Sequence, residues 1–246
     1  MVWPKICLFG DSITRRGFNI EEGCWASLLQ DKLGDYFDVD ARGFSGYNSR
    51  WCLDLMPKLF PKHYLDHVEV FVLMLGHNDS WDPRVPLHVP VEEYERNMSS
   101  ILEYLFKNGL AKQKVIIVTP HWYNEEAFTK YQITVGRPDF TKKFESAVKY
   151  SDAVKRIAAR EQIELLDAFE ISTKHEPQEE LFCDGLHLSV KGAKVFFQNL
   201  WPLIDKKIVE AFKKPVDQLF HAPPYHEIPC VKEAMERHIE KSKPGK

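Results

Sequence analysis

The sequence predicts an α/β fold, a parallel sheet of five strands covered by helices on both faces. Two observations carry the prediction. Five short apolar segments are separated by stretches of helical period, and strands alternating with helices of that length build parallel sheets. The chain also has the size and composition for it: 246 residues, 44% hydrophobic and 28% charged, can bury the core of one sizeable domain.

The elements follow in order. Strand one is expected at Lys5–Phe9, an apolar run that stops at Gly10-Asp11-Ser12. Trp25–Leu33 is a short helical candidate, and Tyr36–Ala41 reads as strand two before the glycine-rich segment Arg42–Asn48. Ser49–Phe60 is a second short helix, and Val68–Leu75 is strand three. Val91, Tyr94, Met98, Ile101, Leu102 and Leu105 repeat at i, i+3, i+4, i+7, with Gly109 as a stop signal. Strand four is expected at Lys114–Thr119 and strand five at Glu164–Asp167. A helical stripe between them uses Phe144, Ala147, Val148, Val154, Ile157 and Ala158. A last stripe, Ala193, Phe196, Phe197, Leu200, Ile204 and Ile208, contains Pro202, where a kink is expected. From Pro215 the composition turns proline-rich, then charged and helical over Val231–Lys241, which reads as a tail or packed extension.

Several classes of function are excluded early. A formal charge of −3, from 33 Lys+Arg against 36 Asp+Glu, leaves no basic footprint for nucleic acid. The longest purely apolar run, Val70–Leu75, is far short of the roughly 18 residues that a membrane span needs. Cys7, Cys24, Cys52, Cys183 and Cys230 are odd in number and contain no C-x-x-C pair, so reduced thiols in a cytoplasmic protein are expected. Only nine residues precede Gly10-Asp11-Ser12, so strand one is expected to belong to the site and not to a removable leader.

In open parallel sheets, ligands bind beyond the carboxyl ends of the strands. Three constellations fit that position: Gly10-Asp11-Ser12 after strand one, Gly76-His77-Asn78-Asp79 after strand three, and Asp184-Gly185-Leu186-His187 before the last long helix. Ester hydrolysis needs a nucleophile, a base, an orienting carboxylate and donors for an oxyanion. Ser12 suits the nucleophile, His187 the base, and Asp184, three residues earlier, the orienter. The N–H groups of Ser12 and Gly46 and the side-chain amide of Asn78 suit the oxyanion.

FGDSITRRGF, RGFSGYNSRW, GHNDS and DGLHLSVKG resemble, in order, the four main blocks of the GDSL/SGNH hydrolase superfamily. The wording of RGFSGYNSRW, PVEEYERNM and DGLHLSVKG is similar to the isoamyl acetate-hydrolysing esterase family, over roughly residues 5–210. The resemblance implies a flavodoxin-like three-layer α/β/α sandwich with strand order 2-1-3-4-5. It also implies no metal or organic cofactor, and a small-molecule ester as partner. A hydrolase domain over 1–214 and an extension over 215–246 follow from it, and a homo-oligomer is left open. Lysophospholipase or thioesterase action, carbohydrate O-deacetylation and a catalytically silent binding module stay as alternatives. Two residues depart from the family pattern: Ala41 stands where Asn is usual, and His77 where a small residue is usual. His77 either reshapes the acyl pocket or points into the scaffold.

Rivals for each role read less well. Ser45 begins like a nucleophile elbow, but Tyr47 replaces its final glycine. Asp167 is expected as a structural carboxylate, and Asp11 and Asp79 as acceptors for loop N–H groups. His63 and His67 lack the glutamate of a metalloprotease helix. Cys183 reads as a small buried filler. Tyr47, Trp81, Trp122 and Tyr123 follow strand ends and either line the substrate pocket or simply pack against the scaffold.

Overall fold

A computed structural model describes residues 3–34, 36–138, 142–219, 229–230, 232–233 and 235. The helix expected over Val231–Lys241 lies largely outside them. The strands are β1 (Lys5–Gly10), β2 (Asp38–Gly43), β3 (Val68–Met74), β4 (Val115–Val118) and β5 (Glu164–Leu166). All pair in parallel, in the order β2-β1-β3-β4-β5. The α-helices are α1 (Ser12–Arg15), α2 (Trp25–Leu33), α3 (Ser49–Leu59), α4 (Lys62–Leu65), α5 (Val91–Lys107), α6 (Glu125–Thr134), α7 (Phe144–Glu161), α8 (Ala168–Lys174) and α9 (Val190–Phe212).

Side chains of a strand alternate between faces, so each inner strand feeds two cores. Ile6, Leu8, Val70, Val72 and Ile116 pack with α2, α8 and α9 on one side. Cys7, Phe9, Phe71, Leu73 and Ile117 pack with α3, α4, α5 and α7 on the other. Three layers result. A smaller cluster of Trp81, Val85, Tyr123, Phe128, Ala147 and Leu186 joins the loop after β3, the loop after β4, α6 and α7.

Strand order reverses direction at β1, whose two neighbours are β2 and β3. The crevice at that switch point lies beyond the carboxyl ends of β1 and β3, where Asp11-Ser12 and His77-Asn78 emerge. Gly43 makes this end compact, because a Cβ there would lie 2.0 Å from the backbone nitrogen of Arg15. The end of β2 therefore rests on the turn that carries Ser12.

Strand two begins two residues later than its sequence pattern suggests. The N–H groups of Tyr36 and Phe37 both bond back to the carbonyl of Leu33 at 2.8 Å, which ends α2, and pairing with β1 begins at Asp38. The last long helix keeps Pro202 within it and runs on to Phe212. Helices α6 and α8 carry too few apolar residues in period to be read from sequence. Only Phe128 and Gln132 are buried on α6, and α8 is seven residues long. Among the described residues, no helix is long and apolar enough to cross a membrane.

Candidate active site

Ser12 is the first residue of α1, and its Oγ lies 2.9 Å from His187 Nε2. On the far side of the ring, His187 Nδ1 lies 2.6 Å from Asp184 Oδ2. The other carboxylate oxygen, Asp184 Oδ1, accepts the N–H groups of Leu186 at 3.0 Å and His187 at 2.8 Å. Desolvation acts to raise this carboxyl, but the His187 contact and the two N–H groups outweigh it and hold Asp184 below its ordinary value. An ionised Asp184 can only accept, so Nδ1 carries the proton and the bare Nε2 faces the Ser12 hydroxyl. Ser12 and His187 are both buried, at 7% and 9% exposure, so this hydrogen-bonded chain is shielded from bulk water.

Asp184 and His187 sit on one hairpin. Phe182 and Leu188 form a bridge across it, and the Cys183 N–H bonds to the His187 carbonyl at 2.9 Å. This corrects the reading of Cys183 as a buried filler: the residue is exposed. Phe182 faces the core, and in an extended segment its neighbour points the opposite way. Partial desolvation, then the charges of Asp184 and Glu22, push the thiol up to about 11, so it stays protonated.

Asn78 belongs to the turn after β3. Its Nδ2 donates to the Tyr47 carbonyl at 2.9 Å, and its Oδ1 accepts the indole N–H of Trp81 at 3.3 Å. One amide hydrogen and the carbonyl are thereby committed, and one amide hydrogen remains for a ligand. Gly46, next to Tyr47, has φ +80°, and a Cβ there would meet only the Leu87 side chain, at 4.0 Å. The position needs glycine for its backbone conformation and not for space.

Asp79 links these loops. Its carboxylate accepts the Ser49 N–H at 2.9 and 3.1 Å, and Asn97 donates to Ser49 Oγ at 3.0 Å. Burial pushes the Asp79 carboxyl up to about 7, against the pull of Ser49. Asp11 caps α1 by accepting the Ile13 N–H at 2.9 Å. Its other oxygen lies 3.0 Å from His77 Nδ1. The backbone N–H of His121 donates to His77 Nε2 at 3.1 Å, so Nε2 is bare and Nδ1 carries the hydrogen given to Asp11. His77 therefore points into the scaffold.

Beneath the same turn lies Lys142, 2% exposed. Its ammonium donates to the His77 carbonyl and lies over the rings of Trp81 at 4.8 Å and Tyr123 at 5.3 Å. Burial lowers it to about 7, with Asp11 and Asp79 opposing the fall. Sequence reading missed Lys142, since a lysine beside Lys143 carries no sign of burial. His121 was missed too. Burial keeps its ring well below the ordinary histidine range.

The suggested pocket residues differ in place. Tyr47 is exposed and stacks edge-on against Trp51 at 5.7 Å. Trp81 is buried against Phe128 and Lys142, and its indole N–H orients Asn78. Trp122 packs against Phe182 at 5.5 Å. A recess beside His187 is lined by Ile13, Arg16, Glu22, Trp25 and Leu188. Asp167 caps α8 through the Glu170 N–H and pairs with Lys155 at 2.8 Å, a structural carboxylate. His63 lies on α4 and His67 beyond it. Among the described residues, no three His, Cys, Asp or Glu side chains gather as a metal site.

Residues 8–195 match the GDSL-like lipase/acylhydrolase family. The chain is 36% identical over 212 residues to the isoamyl acetate-hydrolyzing esterase 1 homolog of Homo sapiens, covering 85% of this chain and 84% of that one. It is 29% identical over 215 residues to the isoamyl acetate-hydrolyzing esterase of Saccharomyces cerevisiae, covering 83% and 87%. Among solved structures, the lipase/acylhydrolase from Enterococcus faecalis superposes with a TM-score of 0.63 at 20% identity, over 86% of this chain and 98% of that one.

Proposed function

Because the chain belongs to the GDSL-like lipase/acylhydrolase family and is thereby a carboxylic ester hydrolase, we propose that it cleaves small, acetate-type esters through an acyl-enzyme on Ser12. The observation that carries this reading is the unbroken hydrogen-bonded chain from Ser12 Oγ through His187 to Asp184, at 2.9 and 2.6 Å. His187 Nε2 takes the Ser12 proton as Oγ attacks the ester carbonyl carbon. The Ser12 N–H is the first amide of a helix and has no partner within it. With the Gly46 N–H and the second Asn78 amide hydrogen, it holds the oxyanion. Imidazolium then protonates the leaving alcohol as the C–O bond breaks. Water gives its proton to His187 and its hydroxyl to the acyl carbon, and Ser12 leaves with the proton returned.

The acetate-type substrate rests on the relatives named for isoamyl acetate hydrolysis. A cytoplasmic setting fits five cysteines that are all free. Hydrolysis of p-nitrophenyl esters of increasing acyl length tests the reading, with activity expected to be confined to short acyl groups. Ser12→Ala should abolish turnover and labelling by a fluorophosphonate. Activity should also fall toward acid pH, because protonated His187 cannot accept the Ser12 proton. Full turnover by Ser12→Ala rules the mechanism out.

A further inference from the structure

Lys142 is a buried cation that the mechanism above does not use. It comes from the segment before α7, 65 residues from the His77 carbonyl it binds. Backbone pairing of Lys142 with Trp81 as an antiparallel bridge brings the two together. Its ammonium then lies on the Trp81 face, at 4.8 Å. Trp81 in turn donates its indole N–H to Asn78 Oδ1. Two routes therefore lead from one ammonium to the Asn78 amide, one through the His77 backbone and one through the indole.

We propose that Lys142 is a positioning residue for the oxyanion arm: its ammonium clamps the His77 carbonyl and the Trp81 ring, and so aims the Asn78 amide at the reacting carbonyl. The proposal rests on the esterase reading of Asn78. Energetics point to a role beyond folding, because a buried ion replaced by an apolar side chain of similar volume is often neutral or stabilising. Here the ammonium faces Asp11 from the cap of α1, Asp79 from the turn after β3, and His77, His121 and Tyr123 from the loops after β3 and β4.

The test compares wild type with Lys142→Met and Lys142→Arg, using a short-chain p-nitrophenyl ester, thermal unfolding and fluorophosphonate labelling. Lys142→Met is expected to keep or raise Tm at neutral pH and still label at Ser12. Its kcat should fall at least about tenfold, with KM within about twofold, and Lys142→Arg should restore part of kcat. A folded Lys142→Met with wild-type kcat overturns the lysine proposal alone. Wild type that neither labels nor hydrolyses takes it down together with the esterase reading. Should the methionine variant fail to fold, Lys142→Gln, which is polar but carries no charge, is measured in its place. Its kcat is expected to fall with KM little changed, and a folded Lys142→Gln with wild-type kcat overturns the proposal.

Discussion

Asn78 shows how a single side chain is prepared by its neighbours. The Tyr47 carbonyl takes one of its amide hydrogens and Trp81 occupies its oxygen, so the amide cannot flip without losing both bonds. If the free hydrogen serves the oxyanion, Asn78→Ala should lower kcat by about 10²–10³ with little change in KM. Trp81→Phe keeps the aromatic face for Lys142 and removes the indole N–H. One neutral hydrogen bond is worth about 1 kcal/mol, so a loss of roughly fivefold in kcat is expected. Steady-state kinetics on both variants separate donor from aligner, and equal losses would contradict that division. The donor was legible in the sequence because it stands in a short motif at a strand end. Its aligners were not. Trp81 read as pocket wall, and nothing in the run around Lys142 and Lys143 distinguishes the buried lysine, which is made so by packing against residues some 60 positions away.

Helix α1 has four residues, far below the length at which a helix holds itself in water. Ser12 is therefore placed by what surrounds the helix: the Asp11 cap, the close approach of Gly43, and the Trp25 indole on the Ile13 carbonyl at 3.1 Å. Asp11→Ala removes the cap, worth about 1 kcal/mol. It also strands a buried His77 donor, at a further cost of about 1–3 kcal/mol. Urea unfolding should show the sum as a lower midpoint, accompanied by lost activity. Asp11→Asn should fall between wild type and alanine. Its oxygen still caps Ile13, but its amide faces His77 Nδ1, and turning the ring to the other tautomer gives up the His121 N–H. At this scale the sequence was read well wherever an apolar period faces the sheet, as in α2, α5 and α7. It failed for α6, which packs on loops, and at the start of β2, where two residues of strand-like character finish a helix instead.

Across the whole molecule, the Ser12 end of the sheet encloses a cluster of titratable groups between the two apolar layers: Asp11, Asp79, His77 and Lys142. Such a cluster makes stability depend on pH in windows that the shifted groups define. Lys142, ordinarily near 10.5, titrates near 7 in the fold because burial disfavours its charge. Between those values the unfolded chain holds a proton that the folded chain has released. Stability from this group therefore rises with pH across the window and is lost as pH falls from 10.5 toward about 7. Asp79, ordinarily near 3.8 and raised by burial to about 7, does the reverse. The folded chain holds its proton longer, so its contribution is present at acid pH and is lost as pH climbs from 3.8 toward 7. Both windows end near neutrality, where both groups cost the fold most. Denaturant titrations of wild type, Lys142→Met and Asp79→Asn over the full range test this. The stability of Lys142→Met relative to wild type should be greatest at and below about pH 7 and should decline steadily toward 10.5. That of Asp79→Asn should grow between about 3.8 and 7 and then level off. Offsets that stay constant with pH would show that neither group titrates inside the fold, and the buried charge would then be fixed, with each variant measuring only a lost hydrogen bond.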